Sequence, residues 1–215
     1  MAPSGPDRPV AALLLDVEGT TTPLRFVQAV LFPYARAHAE EFLRRAPASE
    51  ANAMVSTLRA EHLAEPRGDE TLPPWDAGDG LRSALQYVFW LMDRDRKSTA
   101  LKALQGRVWE EGYRTGALRG EVYPDVPVAF ARWRRQGRDI AIFSSGSVLA
   151  QKLIFGCSTA GDLRPYIRAY FDTNTGAKRE AESYRRIAAA LDRAPAEVLF
   201  VSDVVEELDA ARTAG

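Results

Sequence analysis

The sequence predicts an α/β protein, a doubly wound parallel sheet with an all-helical cap inserted after the first strand. Three observations carry the prediction. An apolar run over residues 10–15 (VAALLL) stops abruptly at two carboxylates, Asp16 and Glu18. Mostly helical patterning then fills the chain as far as Pro124. Beyond Pro124, short apolar runs alternate with amphipathic ones, the rhythm of strand–helix–strand crossovers.

The elements follow in order. Residues 10–15 form the first strand. Residues 25–45 read as a helix with Phe26, Val30, Ala37 and Leu43 on one face, and Pro33 kinks or breaks it. Residues 51–64 are a second helix, and the Pro-, Gly- and Asp-rich stretch 65–80 is a loop. Leu81, Leu85, Val88, Phe89 and Met92 recur at helical spacing, and a further helix starts at Ser98. After Pro124 come a helix over 126–136, a strand over 139–143 and a helix over 148–155. A short strand at 170–172, a helix over 181–191, a strand over 198–201 and a helix over 204–212 complete the alternation. The core is therefore assigned to residues 1–23 and 122–215, and the helical cap to 24–121.

Composition narrows the function classes. The 215 residues carry a net charge of −1, which gives no broad basic surface for nucleic acid. Arg132, Arg134, Arg135 and Arg138 read as a solvated helix face. The single cysteine, Cys157, excludes an internal disulfide and a cysteine zinc site, and reads as a buried or incidental thiol. No apolar run reaches the length needed to span a membrane, and residues 1–9 lack a hydrophobic signal core. A cytoplasmic, monomeric protein with no nucleic-acid or membrane partner is expected. His38 and His62 read as exposed or capping, and Trp75, Trp90, Trp109 and Trp133 as core or loop anchors. The run 93–97 reads as a solvated turn.

The polar residues fall where an open sheet places its ligands, just beyond the strand ends. Asp16, Ser144 and Asp203 each follow an apolar strand, and Lys178 lies in a loop between the last two of these strands. Alone, each is a cap or a surface residue. Together they suit phosphate-monoester chemistry, in which a carboxylate nucleophile divides a very slow hydrolysis into two steps. Two anions must then be brought together, which calls for Mg²⁺ held by Asp16 and Asp203. Ser144, Lys178 and the helix N-terminus near 145–147 would hold phosphate oxygens, and Glu18 would move the proton.

These residues carry a family resemblance. Asp16-Val17-Glu18-Gly19-Thr20, Ser144, Lys178 and Ser202-Asp203 resemble, in order, the four motifs of haloacid dehalogenase-like phosphatases. Most members have aspartate where this chain has Glu18. With Thr20-Thr21-Thr22-Pro23, that glutamate resembles the enolase-phosphatases, or acireductone synthases, of methionine salvage. The stretches KALQGRVW (102–109), GEVYPDV (120–126), FSSGSVLAQKLIFG (143–156) and YFDT (170–173) are also similar to that family.

The resemblance implies a Rossmann-like core and a bifunctional enzyme. Its substrate would be a small phosphorylated diketone, 2,3-diketo-5-methylthiopentyl-1-phosphate, first enolised and then dephosphorylated to the acireductone. It implies Asp16 as nucleophile and Mg²⁺ ligand, and Glu18 as metal ligand through its carbonyl and proton carrier through its carboxylate. Ser144 and Ser145 would bind substrate, Lys178 would bind and neutralise phosphate, and Asp203 would complete the metal site. Glu207 would lie just behind the metal.

Other readings stay open at this point. One is a phosphatase of the same superfamily acting on another small phosphoester. Another is a receiver-like signalling module, although that class lacks a helical insertion. Family members continue past the Ala-Gly at 214–215 with a further strand, so the last core strand is expected to be missing. The strand at 198–201 would then be an exposed edge, and a catalytically impaired, truncated relative is the remaining alternative.

Overall fold

The computed structural model describes residues 10–66, 71–96 and 98–215. Strand β1 is Ala12–Leu15, followed by a short helical turn, α1, at Leu24–Phe26 and a π-helical segment, Val27–Leu31. Helices α2 (Phe32–Arg45), α3 (Ala48–Ala64), α4 (Gly80–Asp93) and α5 (Thr99–Thr115) come next. The chain continues with α6 (Asp125–Arg135), β2 (Asp139–Phe143), α7 (Val148–Gly156) and β3 (Ala169–Phe171). It closes with α8 (Ala181–Ala190), β4 (Val198–Val201) and α9 (Val205–Ala214). Short 3₁₀ turns at Arg164–Tyr166 and Pro195–Glu197 were not foreseen.

The four strands run parallel in the order β3-β2-β1-β4. The chain therefore winds outward from β1 through β2 to β3, then crosses back to lay β4 on the other side of β1. That reversal opens a crevice between the carboxyl ends of β1 and β4, where doubly wound sheets take their ligands. Leu15 stands opposite both Ile142 and Val201, so the three central strands end level.

Side chains alternate across the sheet. Ala12, Leu14, Ala141 and Phe143 pack with Tyr184, Ile187 and Leu191 of the α8 region and Ala210 and Ala214 of α9. Leu13, Leu15, Ile140 and Ile142 take the opposite face, where α6 packs against β2 and α7 against β3. All four are essentially buried, and burying such a side chain is worth about 2 kcal/mol. On that same face β4 is bare: Leu199 and Val201, opposite Leu13 and Leu15, are exposed. β4 is an edge of the described sheet.

The chain separates into two compact units, one of residues 1–27 with 118–215 and one of residues 28–117. The second is a bundle of α2–α5. Ser98 caps α5 by accepting from the Leu101 amide at 2.9 Å, and Gly116 ends that helix in the left-handed region at φ 78°. Tyr34 lies flat against Gly112, where a Cβ would come within 2.7 Å of its ring. Trp109 is buried and donates to the Leu31 carbonyl at 2.8 Å.

The first long helix departs from the expected face. Val30 is 40 % exposed and Ala37 is exposed, while Leu31, Ala35, Ala39 and Leu43 are buried. The π segment widens one turn and shifts the register, so the α-helical period read through it points to the wrong residues. Pro33 sits in the first turn of α2, where its missing N–H costs little, and it begins the helix rather than kinking it.

Other expectations resolve individually. Cys157 is exposed. His38 and His62 are part-buried and bond the carbonyls of Tyr34 and Pro73 at 2.8 and 2.7 Å. Trp90 is buried like Trp109, whereas Trp75 and Trp133 are half-buried. In the 93–97 run, Arg94 and Asp95 form a turn, and Lys97 lies outside the described residues, as do residues 1–9. Among the described residues no helix is long and apolar enough to cross a membrane.

At the amino end of β2, Asp139 accepts from Arg168 at 2.6 Å and Arg193 at 2.9 Å, with Arg134 at 3.6 Å. Burial works against its charge, but the bonds from Arg193 and Arg168 outweigh that cost and hold the carboxyl below the usual carboxylate range. A depressed folded pKa stabilises the protein above the unfolded carboxylate pKa, and the contribution fades as pH falls through the folded value. Asp139→Asn should therefore lower stability by about 2 kcal/mol at neutral pH. Its deficit should shrink toward pH 3 (about a unit below the ordinary value) when denaturant unfolding is compared at the two pH values.

Candidate active site

Asp16 is the first residue past β1, and its amide still donates to the Val201 carbonyl of β4 at 3.0 Å. The sheet ladder thus runs one residue beyond the strand and fixes the start of the side chain. Asp16 Oδ1 accepts from the Val17 amide and from Lys178 Nζ, both at 2.7 Å. Lys178 Nζ also reaches Glu207 Oε2 at 2.6 Å. The Ser202 hydroxyl donates toward Glu207 Oε2 at 3.0 Å and lies 3.4 Å from Asp16 Oδ2. Four side chains from the ends of β1 and β4, the loop before α8, and α9 therefore form a closed polar ring.

The ring is buried: Asp16 is 4 % exposed, and Lys178 and Glu207 are each 8 % exposed. Two carboxylates share one ammonium, so the ring carries a net negative charge in a poorly solvated place. Burial pushes the Asp16 carboxyl above its usual range, the adjacent Lys178 pulls it back, and Glu207 adds to the rise. Lys178 also lies 5.8 Å from the centre of the Phe143 ring.

The backbone beneath the ring is fixed with equal care. The Thr21 hydroxyl donates to the Asp16 carbonyl at 2.9 Å, and the amides of Thr20, Thr21 and Thr22 turn back to the Val17 carbonyl. Gly19 has φ 75°, and Glu18 pairs with Thr22 as an isolated bridge. The Lys178 loop is held from α8: Ser183 Oγ donates to the Ala177 carbonyl at 2.7 Å and Tyr184 Oη to the Lys178 carbonyl at 2.6 Å. Tyr184 in turn packs edge-on against Phe143 and Phe200.

Ser144 and Ser145 occupy the loop leaving β2. Ser144 is 4 % exposed, its Oγ accepts from the Gly146 amide at 3.0 Å, and its amide donates to the Phe171 carbonyl at 3.2 Å. Ser147 caps α7 through the Ala150 amide. Asp203 is exposed and stands outside the ring. Its carboxylate lies over Gly19, where a Cβ would meet Oδ2 at 2.1 Å. Of the residues singled out from sequence, Asp16, Lys178 and Glu207 thus touch directly. Glu207 is a partner of Lys178, a contact that its sequence position did not suggest. Ser202 and Tyr184 were missed, because a serine beside a motif aspartate and a tyrosine on an amphipathic helix carry no signal of their own.

A divalent cation fits this donor set. Asp16 is a carboxylate whose charge is under-compensated, and the Asp203 carboxylate overlies the turn that follows it. Both offer oxygen ligands, which suit Mg²⁺. Among the described residues no three of His, Cys, Asp and Glu group tightly enough to form a cage. Mg²⁺ commonly takes one or two carboxylates and completes its shell with water and substrate phosphate.

A parallel sheet with a buried aspartate–lysine pair at its carboxyl rim is the class of an aspartate-centred hydrolase, and residues 10–215 match the haloacid dehalogenase-like hydrolase family. The chain is 55 % identical over 207 residues to enolase-phosphatase E1 of Synechococcus elongatus, covering 96 % of this chain and 86 % of that protein. It is 50 % identical over 208 residues to enolase-phosphatase E1 of Azotobacter vinelandii, with the same coverage. The crystal structure of the UTR4 protein of Saccharomyces cerevisiae superposes with a TM-score of 0.75 at 33 % identity, over 96 % of this chain and 87 % of that one. The chain belongs to the enolase-phosphatase family of the haloacid dehalogenase-like hydrolases.

The strained charge state of the ring has a measurable consequence. Asp16→Asn removes a desolvated negative charge and leaves Lys178 paired with Glu207. The melting temperature of the metal-free protein should rise by about 2–4 °C, the shift expected for about 1 kcal/mol in a domain of this size. A fall of similar size would contradict the account of Asp16 as under-compensated.

Proposed function

We propose that this protein converts 2,3-diketo-5-methylthiopentyl-1-phosphate to the acireductone and inorganic phosphate, by enolisation followed by dephosphorylation, in methionine salvage. The single observation that carries the reading is the Asp16–Lys178–Glu207 ring at the sheet's reversal point, in a chain about half identical to enolase-phosphatases. The generic phosphatase and receiver alternatives lose ground to that identity, which extends through the helical insertion.

Asp16 acts as the nucleophile. Its Oδ1 is engaged by Val17 and Lys178, so Oδ2 is the oxygen directed to phosphorus. Attack forms the Oδ2–P bond as the ester P–O bond breaks, and Glu18 delivers a proton to the leaving oxygen. Glu18 then takes a proton from water, which attacks the aspartyl phosphate and releases phosphate. Lys178 neutralises phosphate charge, and Ser144 and Ser145 hold its oxygens. Asp16, Asp203 and the Glu18 carbonyl would hold one Mg²⁺, which supplies positive charge where nucleophile and phosphate meet. In the enolisation, Glu18 removes the C–H proton beside the carbonyl, and Lys178 or Ser144 stabilises the enolate oxygen. The helical insertion over 24–121 serves as the cap that excludes water during these steps. The enzyme works as a cytoplasmic monomer, on a small-molecule substrate.

The primary test is phosphate release from the diketone phosphate with Mg²⁺ present and chelated. Wild type should depend on Mg²⁺, and Asp16→Asn should lose at least about 10³-fold in rate. Equal release by the two proteins would remove the enzyme reading, and faster release from phosphoglycolate or nucleotides would favour another phosphoester. A second measurement follows enolisation by ultraviolet absorbance. Glu18→Asp shortens the side chain by one methylene and should slow that step about 10²-fold. Full enolisation activity in this variant would exclude Glu18 as the base.

A further inference from the structure

Gln151 lies inside α7 and is 1 % exposed. Its Nε2 donates to the Gly146 carbonyl and to the Phe171 carbonyl, both at 2.9 Å. The Phe171 carbonyl is also the acceptor for the Ser144 amide. One side chain therefore joins both ends of the Ser144-Ser145-Gly146 turn to the last residue of β3. With two carbonyls facing it, the amide's NH₂ end is fixed there by hydrogen-bond chemistry. Its other end, Oε1, is buried with no hydrogen-bond partner.

That unpaired oxygen is informative. A buried acceptor without a donor costs stability, and an apolar side chain of the same length would remove the cost. What glutamine alone supplies at this position is a pair of donors for two carbonyls, one in the Ser144 loop and one at the end of β3.

We propose that Gln151 is a positioning residue for the substrate phosphate, fixing the Ser144 loop so that its hydroxyl and amide groups are presented as preset donors. The inference rests on the assignment of Ser144 and Ser145 to substrate. Gln151 does not touch phosphate. It acts through the loop, which without it loses a tie at Gly146 and half of its anchorage to Phe171. Ground-state binding of phosphate and substrate should suffer together, since the same donors serve both.

The test uses Gln151→Met, which keeps length but has no donor, and Gln151→Glu, which turns a carboxylate toward two carbonyls. Binding of inorganic phosphate in Mg²⁺ buffer is measured by calorimetry, alongside kcat and KM for phosphate release and the melting temperature. Gln151→Met should melt within about 3 °C of wild type. Its phosphate Kd and substrate KM should rise about tenfold, with kcat within about threefold. Gln151→Glu should be weaker again in both.

Unchanged Kd and KM in either folded variant would overturn the proposal. So would failure of both variants to fold, since Gln151 would then serve the fold itself. Failure of wild type to release phosphate from the diketone phosphate would sink the functional reading instead. Gln151 would still be judged on phosphate binding, and a wild type that binds no phosphate would overturn both.

Discussion

The structure turns on one buried ammonium. Lys178 lies between Asp16 and Glu207, and without it two carboxylates would face each other with little water between them. Such a group stays charged only if its partners are held at hydrogen-bond distance, because in a poorly solvated site the attraction and the desolvation penalty are both large. Each partner comes from a different part of the chain. Asp16 is set by the β1–β4 ladder, Glu207 by the first turn of α9, and Lys178 by a loop pinned from α8. A shift in the register of β4 against β1 would separate all three. The order of the sheet and the charge state of the site are therefore one problem with one solution.

A common device holds the loops around this centre. Polar side chains on the helix that follows a loop reach back to the loop's own carbonyls. Ser183 and Tyr184 do this for the Lys178 loop, and Gln151 does it for the Ser144 loop. The helices are rigid and packed on the sheet, so loops with no regular structure inherit their rigidity. Tyr184 joins both roles, since its ring packs in the apolar cluster with Phe143 and Phe200 while its hydroxyl bonds the Lys178 carbonyl.

Much of this was legible in the sequence. The strands at 139–143 and 198–201 have the bounds read from their apolar runs, because a run of four or five apolar residues closed by a polar one leaves little choice. Asp16 and Lys178 were legible because their residue types and order suit phosphate chemistry, and the structure brings them into contact. What escaped notice was of another kind. Ser202, Tyr184 and Gln151 act on carbonyls or on a neighbouring carboxylate, and any polar residue within reach could bond to those. Only the folded geometry says which one does. The face of the first long helix was misread because five residues, Val27–Leu31, wind more loosely than the period assumes.

That loose turn accommodates one residue more than an α-helix would over the same rise. Removing any single residue between 27 and 31 would let the helix wind evenly. It would also rotate everything after it by about 100°, the angle between successive helical residues. Ala35, Ala39 and Leu43 would then swing off the seam they share, and the exposed side chains would take their places. Relatives of different length in this segment are therefore not to be matched residue for residue through it. Their correspondence resumes only where the same buried seam does.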